Sequence, residues 1–276
     1  MVDGFRLLIR VLVVSGLMTG TPSHAGPAFD HVVVFGDSLS DTGNAGRFSN
    51  GPVWVERLAA RLRLTLTPSQ TGGSNFAVGG ARLDPRSGPQ NLRAQADRFL
   101  TRPKPSGRTL YVIYGGGNDL LAAVGHTDAP TMVEAAVASL RSIVADLVER
   151  GARDLLVPNL PDIGMTPAMR ARGDTAVAEA GWLTERFNAA VERALAEGGG
   201  HFAPDVRIYR LDVWGMAERA RQDPASFGFR DVTTPCSGLP RCEGYLFWDD
   251  VHPTTQAHAR LAEAAFHAVS LSQERQ

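Results

Sequence analysis

Four consecutive apolar residues, Val32-Val33-Val34-Phe35, run into Gly36 and the polar turn Asp37-Ser38-Leu39-Ser40-Asp41. An apolar run without alternation belongs to a strand buried on both faces, as in a parallel sheet covered by helices on either side. That segment points to an α/β architecture. It also indicates where chemistry belongs, because open α/β sheets bind ligands beyond the carboxyl ends of their strands. Ser38 falls at such an end. Taken alone, however, Gly-Asp-Ser reads first as an ordinary strand-to-helix turn with capping residues.

The remaining chain repeats the alternation. Apolar residues at helical spacing from Val53 to Leu62 predict a helix within 52–64, and Thr65–Thr67 reads as a weak second strand. A glycine-rich loop from Thr71 to Ala81 precedes a short helix over Leu92–Leu100. Thr109–Tyr114 is a strand that stops at Gly115-Gly116-Gly117-Asn118-Asp119. A long helix is predicted over Thr131–Arg150, with Thr131 and Glu134 in capping-box register and Gly151 closing it. Asp154–Val157 and Val206–Leu211 are further strands, and Thr175–Glu197 and Thr255–Val269 further helices. The pattern predicts a three-layer αβα sandwich around a parallel five-stranded sheet of flavodoxin-like order 2-1-3-4-5. That order reverses beside the first strand, so a crevice is expected between Ser38 and Asn118.

Residues 1–25 have the layout of a secretory signal: Arg6 and Arg10 about a short apolar core, then Ala25 before the cut. The core is shorter than the roughly 20 residues of a membrane span. Residues 26–276 are expected to form a single domain, secreted or periplasmic and not inserted in a membrane. Cys236 and Cys242 fit export, since metal binding would need further ligands at recognised spacings. A disulfide closing a small loop before Asp249 is expected. With 28 basic and 29 acidic residues and a formal charge of −1, no basic field points to nucleic acid.

Four segments stand at the expected strand ends: Gly36-Asp37-Ser38-Leu39-Ser40, the Gly79-Gly80 loop, Gly116-Gly117-Asn118-Asp119, and Asp249-Asp250-Val251-His252. Together, in this order, they resemble the four sequence blocks of the GDSL, or SGNH, hydrolases. Asn75–Ala81 and Tyr245–Thr254 are similar to the larger secreted branch, with its bacterial acylhydrolases, autotransporter esterase passenger domains and plant lipases. The resemblance implies the SGNH hydrolase fold and a serine esterase or lipase. It makes Ser38 the nucleophile, His252 its base and Asp249 the residue that orients the imidazole. The oxyanion hole would comprise the backbone N–H groups of Ser38 and Gly80 and the Asn118 amide. Spacing does not separate Gly79 from Gly80, and Gly80 is preferred. An ester or lipid substrate is implied, with no metal or organic cofactor, and no oligomeric state follows. A phospholipase or a lipid acyltransferase of the same fold is the alternative, followed by a non-catalytic module that kept the fold. The membrane β-barrel that follows autotransporter esterase domains is not expected here.

The implied chemistry is coherent. A serine hydroxyl is a poor nucleophile until a base takes its proton. Imidazole suits that task because its ordinary pKa lies near neutrality. An Asp three residues earlier can turn back onto the other ring nitrogen and fix the tautomer. Donors placed in advance then meet the tetrahedral oxyanion. The other serine-triad architecture, the α/β-hydrolase, needs a Gly-x-Ser-x-Gly elbow, and none occurs in the sequence. Asp37, Asp41 and Asn44 are expected to tie the turn through backbone hydrogen bonds. Phe247 and Trp248 should be core beneath the site loop, while His201, His258 and His267 carry no motif. Pocket walls are expected from 120–130, 161–173 and 227–244.

Overall fold

In the computed structural model, which describes residues 29–199 and 205–271, the apolar run forms β1 (His31–Gly36), buried from Val32 onward. It pairs in parallel with β2 (Thr109–Tyr114), β2 with β3 (Asp154–Pro158), and β3 with β4 (Arg207–Leu211). Every residue of β2 and β3 is buried, as a sheet covered on both faces requires. The helices are α1 (Trp54–Arg61), α2 (Leu92–Leu100), α3 (Gly117–Ala123), α4 (Ala129–Glu149), α5 (Pro167–Ala171), α6 (Asp174–Gly199), α7 (Val213–Gln222) and α8 (Thr255–Leu271). α1 packs on α8, whereas α2 packs on α4 and α4 on α6. These two helical groups are the outer layers of the αβα sandwich.

The second strand expected at Thr65–Thr67 does not form. The place beside β1 is taken by residues 74–78, which run parallel to it. Val34 N–H donates to Ser74 O (3.0 Å), Phe76 N–H to Val34 O (2.8 Å) and Val78 N–H to Gly36 O (3.1 Å). Burial explains the exchange. Thr65 and Thr67 are exposed, whereas Phe76, Ala77 and Val78 are buried. The Phe76 ring also stacks on Phe35 and meets Phe99 edge-on. The sheet therefore has four strands, β1-β2-β3-β4, plus one extended segment at the β1 edge. The reversal beside β1 survives, and Gly79-Gly80 issues directly from the edge segment.

Two further differences lie outside the sheet. α4 begins at Ala129 with Asp128 at its N-cap, so Thr131 lies inside the first turn and caps nothing. Pro130 permits this, because proline is tolerated where the first helical N–H groups lack partners. A small parallel pair, β5 (Asp231–Pro235) and β6 (Tyr245–Phe247), follows a single 3-10 turn, Pro224–Phe227, after α7. The Cys236–Cys242 disulfide closes the connection between them. Phe229, Val232 and Ala220 form a separate small apolar cluster there. Among the described residues, no helix is long and apolar enough to cross a membrane. The signal segment expected over 1–25, like His201, lies outside the described residues.

Candidate active site

The carboxyl end of β1 is pinned before the turn begins. Gln95 of α2 accepts from Gly36 N–H (2.9 Å) and donates from Nε2 to Gly36 O (2.8 Å). Asp37 Oδ1 then accepts from Leu39 N–H (3.0 Å), and Ser40 N–H donates to Asp37 O (3.0 Å). Asp41 organises the far side, with Oδ1 accepting from Gly43 and Asn44 and Oδ2 from Ala45. Asn44 Nδ2 donates to Asn75 O and Ala77 O, both at 2.8 Å, tying the turn to the edge segment. These are the tying roles expected of the three residues. Burial pushes the Asp37 carboxyl up to about 7, partly offset by the Leu39 N–H and reinforced by the nearby Asp119.

His252 arrives from the loop between β6 and α8. That loop is fixed by Trp248 N–H donating to His252 O (2.8 Å) and by the Ser49 hydroxyl donating to Pro253 O (2.9 Å). The His252 Nε2 lies 2.9 Å from Ser38 Oγ. Its Nδ1 lies 2.8 Å from Asp249 Oδ2 and 3.0 Å from Oδ1. Asp249 folds back onto the ring because its Oδ1 also accepts from the N–H groups of Val251 (3.0 Å) and His252 (2.7 Å). Burial raises the Asp249 carboxyl, but these N–H donors and the His252 ring outweigh it and hold the group below its ordinary value. Asp250 is exposed, and its carbonyl accepts from Ala168 N–H.

The two glycines of the edge loop differ in one respect. Gly79 N–H donates to Asp41 Oδ2 (2.9 Å), whereas Gly80 N–H and Ser38 N–H have no partner among the described residues. Gly80 has φ +77, a left-handed conformation that glycine adopts without steric penalty. Asn118, the second residue of α3, donates from Nδ2 to Ala81 O (3.0 Å). The adjacent Asp119 carboxylate accepts from Leu83 and Asp84 N–H. The start of α3 thus holds the Gly79-Gly80 loop from behind. Ser38, Gly80 and Asn118 are brought to one rim of the sheet, with His252 and Asp249 across it.

A family model of the GDSL-like lipase/acylhydrolase matches residues 32–265. The chain belongs to that family. Among GDSL-like relatives, the phosphatidylcholine-sterol acyltransferase of Aeromonas hydrophila is 28% identical over 90% of this chain and 92% of its own length. Lipase 1 of Photorhabdus luminescens is 34% identical, over 51% of this chain and 23% of its own. In fold, the chain is similar to Axe2, an acetylxylan esterase from Geobacillus stearothermophilus. That similarity has a TM-score of 0.53 at 16% identity, covering 87% of this chain and 94% of that one.

Within this GDSL-like site, two contributors had no sequence motif. The Phe48 ring lies 5.3 Å, centroid to centroid, from the His252 imidazole. A Cβ on Gly79 would collide with that same ring, so the glycine makes room for the aromatic that covers the imidazole. The glycine was the only hint of this contact. The second contributor, Gln95, sits on α2 among ordinary helical residues and gave no sign of gripping β1. Among the described residues, no group of three or more His, Cys, Asp or Glu is placed to hold a metal ion.

Proposed function

We propose that the protein is an exported serine hydrolase of carboxylic esters, acting through an acyl-enzyme on Ser38. The observation that carries this reading is the continuous contact from Ser38 Oγ through both ring nitrogens of His252 to the Asp249 carboxylate. In the first step His252 Nε2 takes the Ser38 proton as Oγ bonds to the carbonyl carbon. The carbonyl oxygen becomes an oxyanion facing the N–H groups of Ser38 and Gly80 and the Asn118 amide. Collapse breaks the bond to the alcohol oxygen, which leaves with the proton from His252. Water then attacks the acyl-enzyme, giving its proton to His252. The carboxylic acid departs, and Ser38 recovers its hydrogen. Asp249, held ionised, keeps the ring oriented and offsets the imidazolium charge.

Residues 26–276 would form one hydrolase domain once the signal segment 1–25 is removed. Export is supported by the layout of that segment and by the disulfide, since disulfides persist in oxidising compartments. A second reading, acyl transfer to an alcohol, is favoured by the similarity to the Aeromonas acyltransferase along most of both chains. The two readings share the acyl-enzyme and differ only in whether water or an acceptor hydroxyl attacks it. Product analysis with and without an added alcohol separates them. The test of the shared chemistry is Asn118→Ala. It is expected to lower kcat by about 10²–10³ while KM moves little, as read from steady-state ester kinetics. A wild-type kcat would remove Asn118 from the oxyanion hole.

A further inference from the structure

We propose that Gln95 of α2 is a positioning residue for the oxyanion hole: its side-chain amide replaces one rung between β1 and the edge segment, and so sets how the Ser38 and Gly80 N–H groups stand relative to each other. This deepens the ester-hydrolase reading and rests on it. β1 and residues 74–78 pair as a parallel ladder, with Val34 N–H donating to Ser74 O (3.0 Å) and Val34 O accepting from Phe76 N–H (2.8 Å). Two residues on, the same pattern would send Gly36 N–H to Phe76 O and Val78 N–H to Gly36 O. The second of these bonds forms, at 3.1 Å. Gly36 N–H turns instead to Gln95 Oε1 (2.9 Å), and Gln95 Nε2 donates to Gly36 O (2.8 Å).

The replaced rung is the last one before the site. Ser38 follows Gly36 by two residues and Gly80 follows Val78 by two, so both backbone donors hang from the Gly36–Val78 bond. β1, the edge segment and α2 meet at Gly36 O. Gln95 is fully buried, and its Nε2 also donates to Gln90 O (3.1 Å). The amide therefore has one orientation in which its oxygen and both hydrogens are paired. α2 is itself anchored at its N-cap, where Asn91 accepts from Ala94 N–H and donates to Pro85 O and Gly88 O. On the β2 side Gly36 has no slack, because a Cβ there would lie 2.8 Å from Tyr114 O. Without the amide, the buried Gly36 N–H loses its acceptor. The strand end then has room to shift only on the side of the edge segment, which moves the two donors relative to each other. A misplacement of about 1 Å is enough to cost about 10²-fold in rate.

The test compares wild type with Gln95→Leu, which keeps the bulk and makes neither hydrogen bond, and with Val191→Ala, which hollows the core at a buried position of α6. The readouts are steady-state kinetics on p-nitrophenyl butyrate and inhibition by an alkyl trifluoromethyl ketone, at a temperature where circular dichroism shows each protein folded. Ser38 Oγ adds to the ketone carbon, its proton passes to His252 Nε2, and the carbonyl oxygen becomes an oxyanion in the hole. Gln95→Leu is expected to lower kcat by about tenfold to a hundredfold with KM within about twofold. Its inhibition constant should rise by the factor by which kcat/KM falls, because the inhibitor resembles the transition state. Val191→Ala is expected to lose thermal stability with kcat unchanged. Wild-type kcat and inhibition in Gln95→Leu overturn the proposal, as does an equal loss of kcat in Val191→Ala. If Gln95→Leu does not fold, Gln95→Met decides by the same criteria. Failure here remains separable from failure of the underlying reading. Turnover that vanishes in Ser38→Ala but is untouched in Gln95→Leu rejects only the role of Gln95, whereas turnover that survives Ser38→Ala rejects the ester-hydrolase mechanism.

Discussion

Ester turnover is expected to fall by up to about 10⁶ in Ser38→Ala, and combining it with His252→Ala should lower it little further. The reason is that hydroxyl and imidazole act as one unit. Without Oγ there is nothing for Nε2 to deprotonate, and without the ring the hydroxyl keeps its proton. Residual catalysis would then come from binding and the oxyanion donors alone. Protein stability should be nearly untouched, because among the described residues the only side-chain hydrogen bond of Ser38 is the one to His252. Steady-state rates of the two single variants and the double variant, with thermal unfolding as the control, check this. Multiplying losses would mean that Ser38 and His252 serve separate functions.

The second large effect concerns the two neighbouring aspartates. Asp249→Asn is expected to lower kcat by up to about 10⁴, and Asp250→Asn to leave it close to wild type. The Asp249 carboxylate accepts from His252 Nδ1 and from two backbone N–H groups. An amide in its place can turn a donor toward Nδ1 and favour the wrong tautomer. Asp250 is exposed, and among the described residues it bonds through its carbonyl, which accepts from Ala168 N–H. Because its N–H and ring partners hold Asp249 below the ordinary carboxylate range, it stays ionised as pH falls through that range. Its share of the rate should therefore persist there and be lost only at lower pH. Kinetics of the two Asn variants across pH test both statements, and an Asp250→Asn defect exceeding that of Asp249→Asn would reverse the assignment.

The parts of this arrangement that were legible in the sequence are those set by local pattern. β1 and β2 are continuous apolar runs, and α2 shows its stripe and stops where that stripe does. The spacing of Asp249 to His252 also sufficed, because three residues in a tight loop return a carboxylate to the ring. What escaped was decided across long sequence separations. Thr65–Thr67 has two β-branched residues that are exposed and only Leu66 packed against the core, whereas 74–78 looks like a loop and becomes the sheet edge through hydrogen bonds to β1. Spacing does not separate Gly79 from Gly80, and the proposed preference for Gly80 is supported by Asp41, 38 residues away, taking the Gly79 N–H. Phe48 and Gln95 act through contacts that no periodicity encodes. Of the three segments expected to wall a pocket, 161–173 and 227–244 contribute residues such as Ile163 and Phe229 to an apolar cavity whose lining includes none of Ser38, Gly80, Asn118, Asp249 and His252. The segment 120–130 does not, because Leu120 and Ala123 of α3 and Ala129 of α4 are buried in the main core.

Covalent trapping of the nucleophile tests the central claim most directly. Incubation with an alkyl p-nitrophenyl phosphonate, followed by peptide mass mapping, should give one stoichiometric adduct on Ser38. The adduct should be absent from Ser38→Ala and should form far more slowly in His252→Ala. An active enzyme that gives no adduct, or carries it on another serine such as Ser40, would contradict the account.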